Sequence, residues 1–222
     1  MRKSINLIVV WGLAVGFAQA QTADYRENVT LGIRYGLGSN SNAYRFVPEI
    51  SDYYLTGKDP IVTCGADLGI SLSQKWRTRI ECNYVGYSYG MTWQKGSTFD
   101  KTDVKVFNVD LNLKFDYRLL HANRFRLYVS PGFVSEFVVD SEYRNTFADG
   151  SSNYKKYNVV TDDHRDGYYG ANLGLLMKYN VAKWLALKLD GGYIQFFQKY
   201  HADNDKSYSR LDFNAGVELK LF

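Results

Sequence analysis

The chain is short of the residues from which most sites are built. Two cysteines, Cys64 and Cys82, occur in 222 residues, and no C-x-x-C or Cys/His cluster is spaced for a metal. Three histidines leave little imidazole for acid–base chemistry. After residue 20 no stretch is apolar enough to cross a bilayer as a helix. Charge of one sign is also scarce. The formal net charge is +4, of which Arg2 and Lys3 supply two, and the remainder is spread evenly. That balance argues against nucleic acid as a partner.

The N-terminus has the layout of an export signal. Arg2 and Lys3 give a positive start, Ile5 to Phe17 an apolar stretch, and Ala18-Gln19-Ala20 a small-residue cleavage site. The apolar run is too short for a spanning helix. Residues 1–20 are therefore expected to be a signal peptide and residues 21–222 one exported domain. No cysteine near the cleavage site points to lipoprotein processing.

What the chain does have is alternation. Phe107, Val109, Leu111, Leu113, Phe115 and Tyr117 interleave with Asn108, Asp110, Asn112, Lys114 and Asp116. Period two over eleven residues is a strand pattern, not a helix pattern. Leu211 to Leu221 repeats it against Asp212, Asn214, Gly216, Glu218 and Lys220. Six noisier segments follow the same rule: 29–38, 62–72, 76–84, 125–137, 169–179 and 185–193. Pro131 falls on an apolar position and is expected to mark a bulge. Long connections at about 39–60, 92–103, 138–166 and 198–209 alternate with short ones near Ser73–Lys75, Leu119–Asn123 and Asn180–Lys183. Eight strands with both ends on the periplasmic side give this arrangement of four outer loops and three inner turns. The expected fold is all-β, an eight-stranded antiparallel up-and-down transmembrane barrel in the bacterial outer membrane. The last strand is expected to close on the first, because hydrocarbon tolerates no open sheet edge.

An exported lipocalin-like barrel is the alternative, and it would turn its apolar face inward. Glycine decides against it. Gly32, Gly36, Gly38, Gly65, Gly69, Gly132, Gly170, Gly174, Gly192 and Gly216 all share the polar parity. A solvated face has no use for glycine, whereas the lumen of an eight-stranded barrel is crowded. The same parity carries charges of both signs, among them Arg34, Asp67, Arg77, Arg79, Glu81, Arg126, Glu136, Lys178, Lys188 and Asp190, which pair across a narrow bore. Trp76, Tyr117, Phe125, Tyr179 and Trp184 flank the short turns, with Phe222 at the terminus, as in an interfacial girdle. Tyr35, Phe107, Phe137, Tyr169 and Phe197 form the opposite belt. Cys64 and Cys82 then point outward on neighbouring strands, offset by one pair, and two free thiols are expected rather than a bridge.

Gly216-Val217-Glu218-Leu219-Lys220-Leu221-Phe222 resembles the terminal signal read by the outer-membrane insertion machinery, with Phe222 one residue beyond the alternation. Leu31 to Gly38 and Gly65 to Leu72 are similar to the small "porin family", PorT-like outer-membrane barrels of the Bacteroidetes. That resemblance implies an eight-stranded barrel of the OmpA transmembrane type. It carries no set of functional residues.

Three kinds of activity remain open on the sequence. The first is a non-enzymatic barrel, structural or binding a ligand or envelope partner through its outer loops. Asp149-Gly150 is a hairpin turn signal, and Tyr143–Phe147 with Tyr154–Val160 are expected to project past the membrane as a hairpin. The second is a small pore, disfavoured because eight strands leave a lumen filled by side chains. The third is an enzyme acting on lipid or peptide. His164 in Asp162-Asp163-His164-Arg165-Asp166 and His201 near Asp203 and Asp205 would supply a His–Asp base, but no nucleophile motif accompanies them. His121 is expected in an inner turn. The 162–166 cluster lacks calcium-loop spacing. No catalytic, cofactor-binding or metal residue is assigned, and no cofactor. The partners expected are outer-membrane lipid and lipopolysaccharide, the insertion machinery, and an envelope protein at the loops.

Overall fold

A strand in hydrocarbon has a row of N–H and C=O groups on each edge and no water to bond them. The structure, a computed structural model, answers by closing the sheet. It describes residues 29–40, 53–58, 60–93, 99–158, 167–199 and 207–221. These hold strands β1 (Val29–Asn40), β2 (Tyr53–Lys58), β3 (Ile61–Ser71), β4 (Trp76–Trp93), β5 (Phe99–Ala122), β6 (Phe125–Phe147), β7 (Ser152–Asn158), β8 (Gly167–Asn180), β9 (Leu185–Lys199) and β10 (Ser207–Lys220). β1, β3, β4, β5, β6, β8, β9 and β10 pair antiparallel in a ring of eight. β1 closes on β10 from Thr30↔Lys220 to Asn40↔Arg210.

The eight expected segments are the eight ring strands, and several run further than their alternation shows. The segment 92–103 is not a long loop, because β4 and β5 stay paired up to Thr92↔Lys101. β2 lines up on the far end of β4, from Lys58↔Tyr89 to Tyr53↔Trp93. β7 does the same on β6, from Asp140↔Asn158 to Thr146↔Ser152. The barrel wall therefore rises on one side as a sheet in the order β2-β4-β5-β6-β7. The projecting hairpin is present. Its turn uses Gly150 at φ 81°, and the Gly150 N–H donates to the Phe147 carbonyl at 3.0 Å. Val159, Val160, His164 and His201 lie outside the described residues, as does the expected signal segment 1–20.

Two local expectations are corrected. The β6–β8 register passes through Pro131↔Leu173 without a shift. The irregularities in β5–β6 lie instead at Phe99/Lys101, Phe107/Asn108 and Arg118/Leu120. Pro131 is exposed on the lipid side, so its missing N–H interrupts one ladder without bending the strand. His121 is not in a turn. It is the penultimate residue of β5, opposite Arg126. The middle inner turn tightens to Asn123-Arg124, with Asn123 at φ 46°, a conformation asparagine tolerates.

The faces are sorted as the glycines indicate. Leu31, Ile33, Leu111, Phe133, Leu173, Leu175, Leu187 and Leu189 are exposed on the outside. Trp76, Tyr179 and Trp184 are exposed beside the inner turns, and Trp76 meets Tyr117 at a ring-centroid distance of 4.8 Å. At the other end Tyr84 stacks on Phe107 at 5.7 Å. Ten residues separate Phe107 from Tyr117. At about 3.4 Å per residue and a tilt of about 40° they span roughly 26 Å, the height of an outer-membrane apolar band. Cys64 and Cys82 are exposed and unbridged. Cys64 pairs with Tyr84 and Cys82 with Ala66, one same-face position apart.

Candidate functional site

The interior decides what this barrel can do. Seven cations, Arg34, Arg77, Arg79, Lys114, Lys178, Lys188 and Arg210, are buried with eight carboxylates, Asp67, Glu81, Asp110, Asp116, Glu136, Asp190, Asp212 and Glu218. Near balance matters, because a buried charge without a partner costs several kcal/mol, on the order of 3–5 when one partner is removed.

The pairs stack in tiers along the bore. Near the inner turns Arg77 reaches Glu218 at 2.7 Å and also donates to Thr30 Oγ1 at 2.7 Å. Lys178 pairs with the same Glu218. In the middle Arg79, fully buried, holds Glu81 at 2.8 Å, Asp116 at 3.2 Å and Asp190 at 2.6 Å. Asp190 also takes Lys114 at 3.2 Å and Arg34 at 3.3 Å. Asp67 takes Lys188. In the upper tier Arg210 holds Asp110, Glu136 at 2.7 Å and Asp212 at 2.9 Å. All of these bridges except Arg79–Glu81 and Arg210–Asp212 join different strands, so the side chains lace the wall together from within.

Above Arg210 the lumen changes character. The arginine lies over the Phe196 ring at 6.0 Å. Beyond it Ile61, Val85, Tyr87, Tyr89, Met91, Val104, Val106, Val134, Val138, Tyr168, Ile194 and Phe196 pack into one buried cluster. The inward face of the rising sheet is thus an apolar cap on a charged plug. Sequence reasoning missed the cap, since Val85 to Met91 and Val104 to Val106 fall between the alternating segments and the expected loop at 92–103, in neither. It also missed Arg210, which precedes the clean alternation of β10.

Free space inside is correspondingly small. A cavity of about 20 Å³ lies at mid-lumen among Asn83, Asn112, Asn172, Asp190 and Asn214. That is room for about one water molecule, not for a channel. Glycine makes the packing possible. A Cβ on Gly32 would meet the Lys188 ammonium and, at 2.7 Å, the Asp67 carboxylate. His121 is exposed beside the inner turn, far along β5 from the outer rim. Among the described residues no group of three His, Cys, Asp or Glu side chains is placed to hold a metal ion.

Comparison with known proteins agrees with this geometry. The outer membrane protein beta-barrel domain family matches residues 17–195. The outer membrane protein OprG from Pseudomonas aeruginosa superposes with a TM-score of 0.52 at 13% identity, over 89% of this chain and 99% of that one. Neisserial surface protein A gives 0.48 at 12% identity, over 87% and 97%. The attachment invasion locus protein Ail of Yersinia pestis gives 0.42 at 10% identity, over 87% and 98%. At 13% identity the OprG likeness speaks for the fold alone, and the two scores under 0.5 add nothing to it. No curated protein matches by sequence. The chain belongs to the outer membrane protein β-barrel domain family and is an integral protein of the bacterial outer membrane.

Proposed function

We propose that this protein is a non-conducting, non-enzymatic barrel of the PorT-like kind, exported by the leader at 1–20, that works through its extracellular side. The carrying observation is the interior: Arg79 and its three carboxylates, topped by the apolar cluster around Phe196, fill the bore from wall to wall. With the bore filled in this way among the described residues, function falls to what the wall presents outside. The rising sheet β2-β4-β5-β6-β7 supplies a rigid platform there, and loops on rigid scaffolds commonly carry recognition. An envelope protein or ligand at this platform is the partner the arrangement suits. A catalytic role has less support. The histidine inside the described residues, His121, stands at the periplasmic end, and a hydrolytic base needs a nucleophile within hydrogen-bond reach.

Planar-bilayer recording of the refolded full-length chain tests the reading. No steady conductance is expected. A stable open level of porin size refutes the sealed lumen. Photo-crosslinking from Ser152 in whole cells tests the second half, with a discrete adduct expected.

A further inference from the structure

We infer that the outward face of the rising sheet, just above the hydrocarbon boundary, binds the phosphorylated head group of an outer-leaflet glycolipid. The site uses the platform proposed above. Lipid retention and conductance are separate readouts, so either reading can fail alone.

The outward face changes chemistry abruptly. Below, Tyr84 and Phe107 stack at the rim of the apolar band. Two residues further up β5 stands Lys105, opposite Glu142, and then Asp103, opposite Arg144. Two residues correspond to a climb of about 5 Å, the depth at which head groups sit. The register shift at Phe107/Asn108 enables this. It switches the outward parity of β6, so that Asp140, Glu142 and Arg144 face out where continued alternation would have turned them in.

The charges there are unequally matched. Lys101 pairs with Asp103 at 2.9 Å. Lys156 pairs with Asp140 at 2.6 Å and with Glu142 at 3.7 Å, and Glu142 also accepts from the Tyr154 hydroxyl. Every carboxylate of this face is engaged. Lys105 and Arg144 have no ion-pair or hydrogen-bond partner among the described residues, and both are exposed. They line one groove of about 540 Å³ with Tyr154 along its side. A groove with two uncommitted cations, opening onto lipid, matches a ligand whose acyl chains lie against Tyr84 and Phe107 and whose phosphate sits above them. Arginine adds bidentate phosphate recognition to the lysine's point charge.

The test is native mass spectrometry of the full chain in zwitterionic detergent, titrated with bis-phosphorylated lipid A. The wild type is expected to retain one lipid A. The double variant Lys105→Gln/Arg144→Gln is expected to bind about 25-fold more weakly, a factor of about five for each charge lost. Lys105→Arg/Arg144→Lys should keep most of the affinity. Dephosphorylated lipid A should bind the wild type no better than the double variant binds the intact lipid. Excess inorganic phosphate should fail to displace it, which separates an anchored lipid from a free anion. Both variants should keep the heat-dependent gel shift of a folded barrel, because the changed side chains face outward above the membrane. Equal lipid A retention by wild type and the Gln variant, or indifference to the phosphates, overturns the inference.

Discussion

Arg79 and Asp190, 111 residues apart, meet across the bore at 2.6 Å. The bond joins β4 to β9, which share no ladder. Removing Arg79 would leave Asp116 with Arg77 at 4.0 Å and leave Glu81 and Asp190 to share Arg34 and Lys114, in a space that water barely enters. Arg79→Met is therefore expected to cost about 3–5 kcal/mol, the range for breaking a buried ion pair. Urea titration of vesicle-inserted protein measures it. Asp190→Leu in the same background should add less than it does alone, because its loss relieves the crowding of carboxylates. A loss under about 1 kcal/mol for Arg79→Met would show that the lumen network is not holding the wall.

Inward and outward positions should differ sharply in their tolerance of volume. Gly216 faces the lumen between β1 and β9. A Cβ there would press on the Ile33 carbonyl and come within 3.0 Å of the Arg34 Cα. Backbone cannot swing aside as a lysine tip can, so Gly216→Ala should cost about 1–3 kcal/mol by overpacking. Its neighbour Ala215 is exposed to lipid, and Ala215→Leu should leave the unfolding midpoint unchanged or raise it. Similar effects for the two would place glycine and alanine in equivalent surroundings and contradict the assigned orientation.

Legibility in the sequence followed from how strictly a segment alternates. Phe107–Tyr117 and Leu211–Leu221 each have one lipid-facing row and one lumen-facing row of opposite polarity, so their faces could be read directly. The pattern fails where both faces are alike. Val104, Val106 and Phe107 crowd three apolar groups into four positions, because the lumen there is apolar too, and the strand looked as though it began at Phe107. Val134 and Val138 blur β6 for the same reason. The parity switch at Phe107/Asn108 is invisible in one sequence, since it depends on how two strands align. Lys105 accordingly falls outside every expected strand, and Glu142 and Arg144 fall in the long connection 138–166 with no face assigned. The lumen pairs were legible as a set of charged positions, but not as partners. Arg79 and Asp190 find each other only after eight strands close.

Depth should govern the cost of charge on the outside. Leu111 is 46% exposed and lies near the middle of the band between Phe107 and Tyr117. Leu111→Arg should cost about 2–4 kcal/mol, whereas Phe107→Arg, at the rim, should cost about 0–1 kcal/mol. Unfolding of the two variants in the same vesicles gives the comparison. Equal costs, or a larger one at Phe107, would mean that the apolar band does not run between the two aromatic belts.

The hairpin tip offers a pH test outside the membrane. Asp149 Oδ1 accepts from the Ser151 hydroxyl at 2.6 Å and from the Ser151 N–H at 2.8 Å. Both bonds favour the charged carboxylate, and the hydroxyl bond is the larger cause that holds its pKa below the ordinary value of 3.8. A folded pKa below the unfolded one gives a contribution that is complete above pH 3.8. That contribution is lost as pH falls through the lowered value. The turn should therefore hold through mildly acidic conditions and loosen only in strong acid. Carbon-detected NMR of the refolded barrel should show the Asp149 carboxyl titrating below 3.8, with the Ser151 amide shift moving at the same midpoint. Asp149→Ala should leave the Ser151 amide insensitive across that range. A carboxyl midpoint at or above 3.8, or a Ser151 amide that does not follow it, would mean that the turn is not closed by this residue.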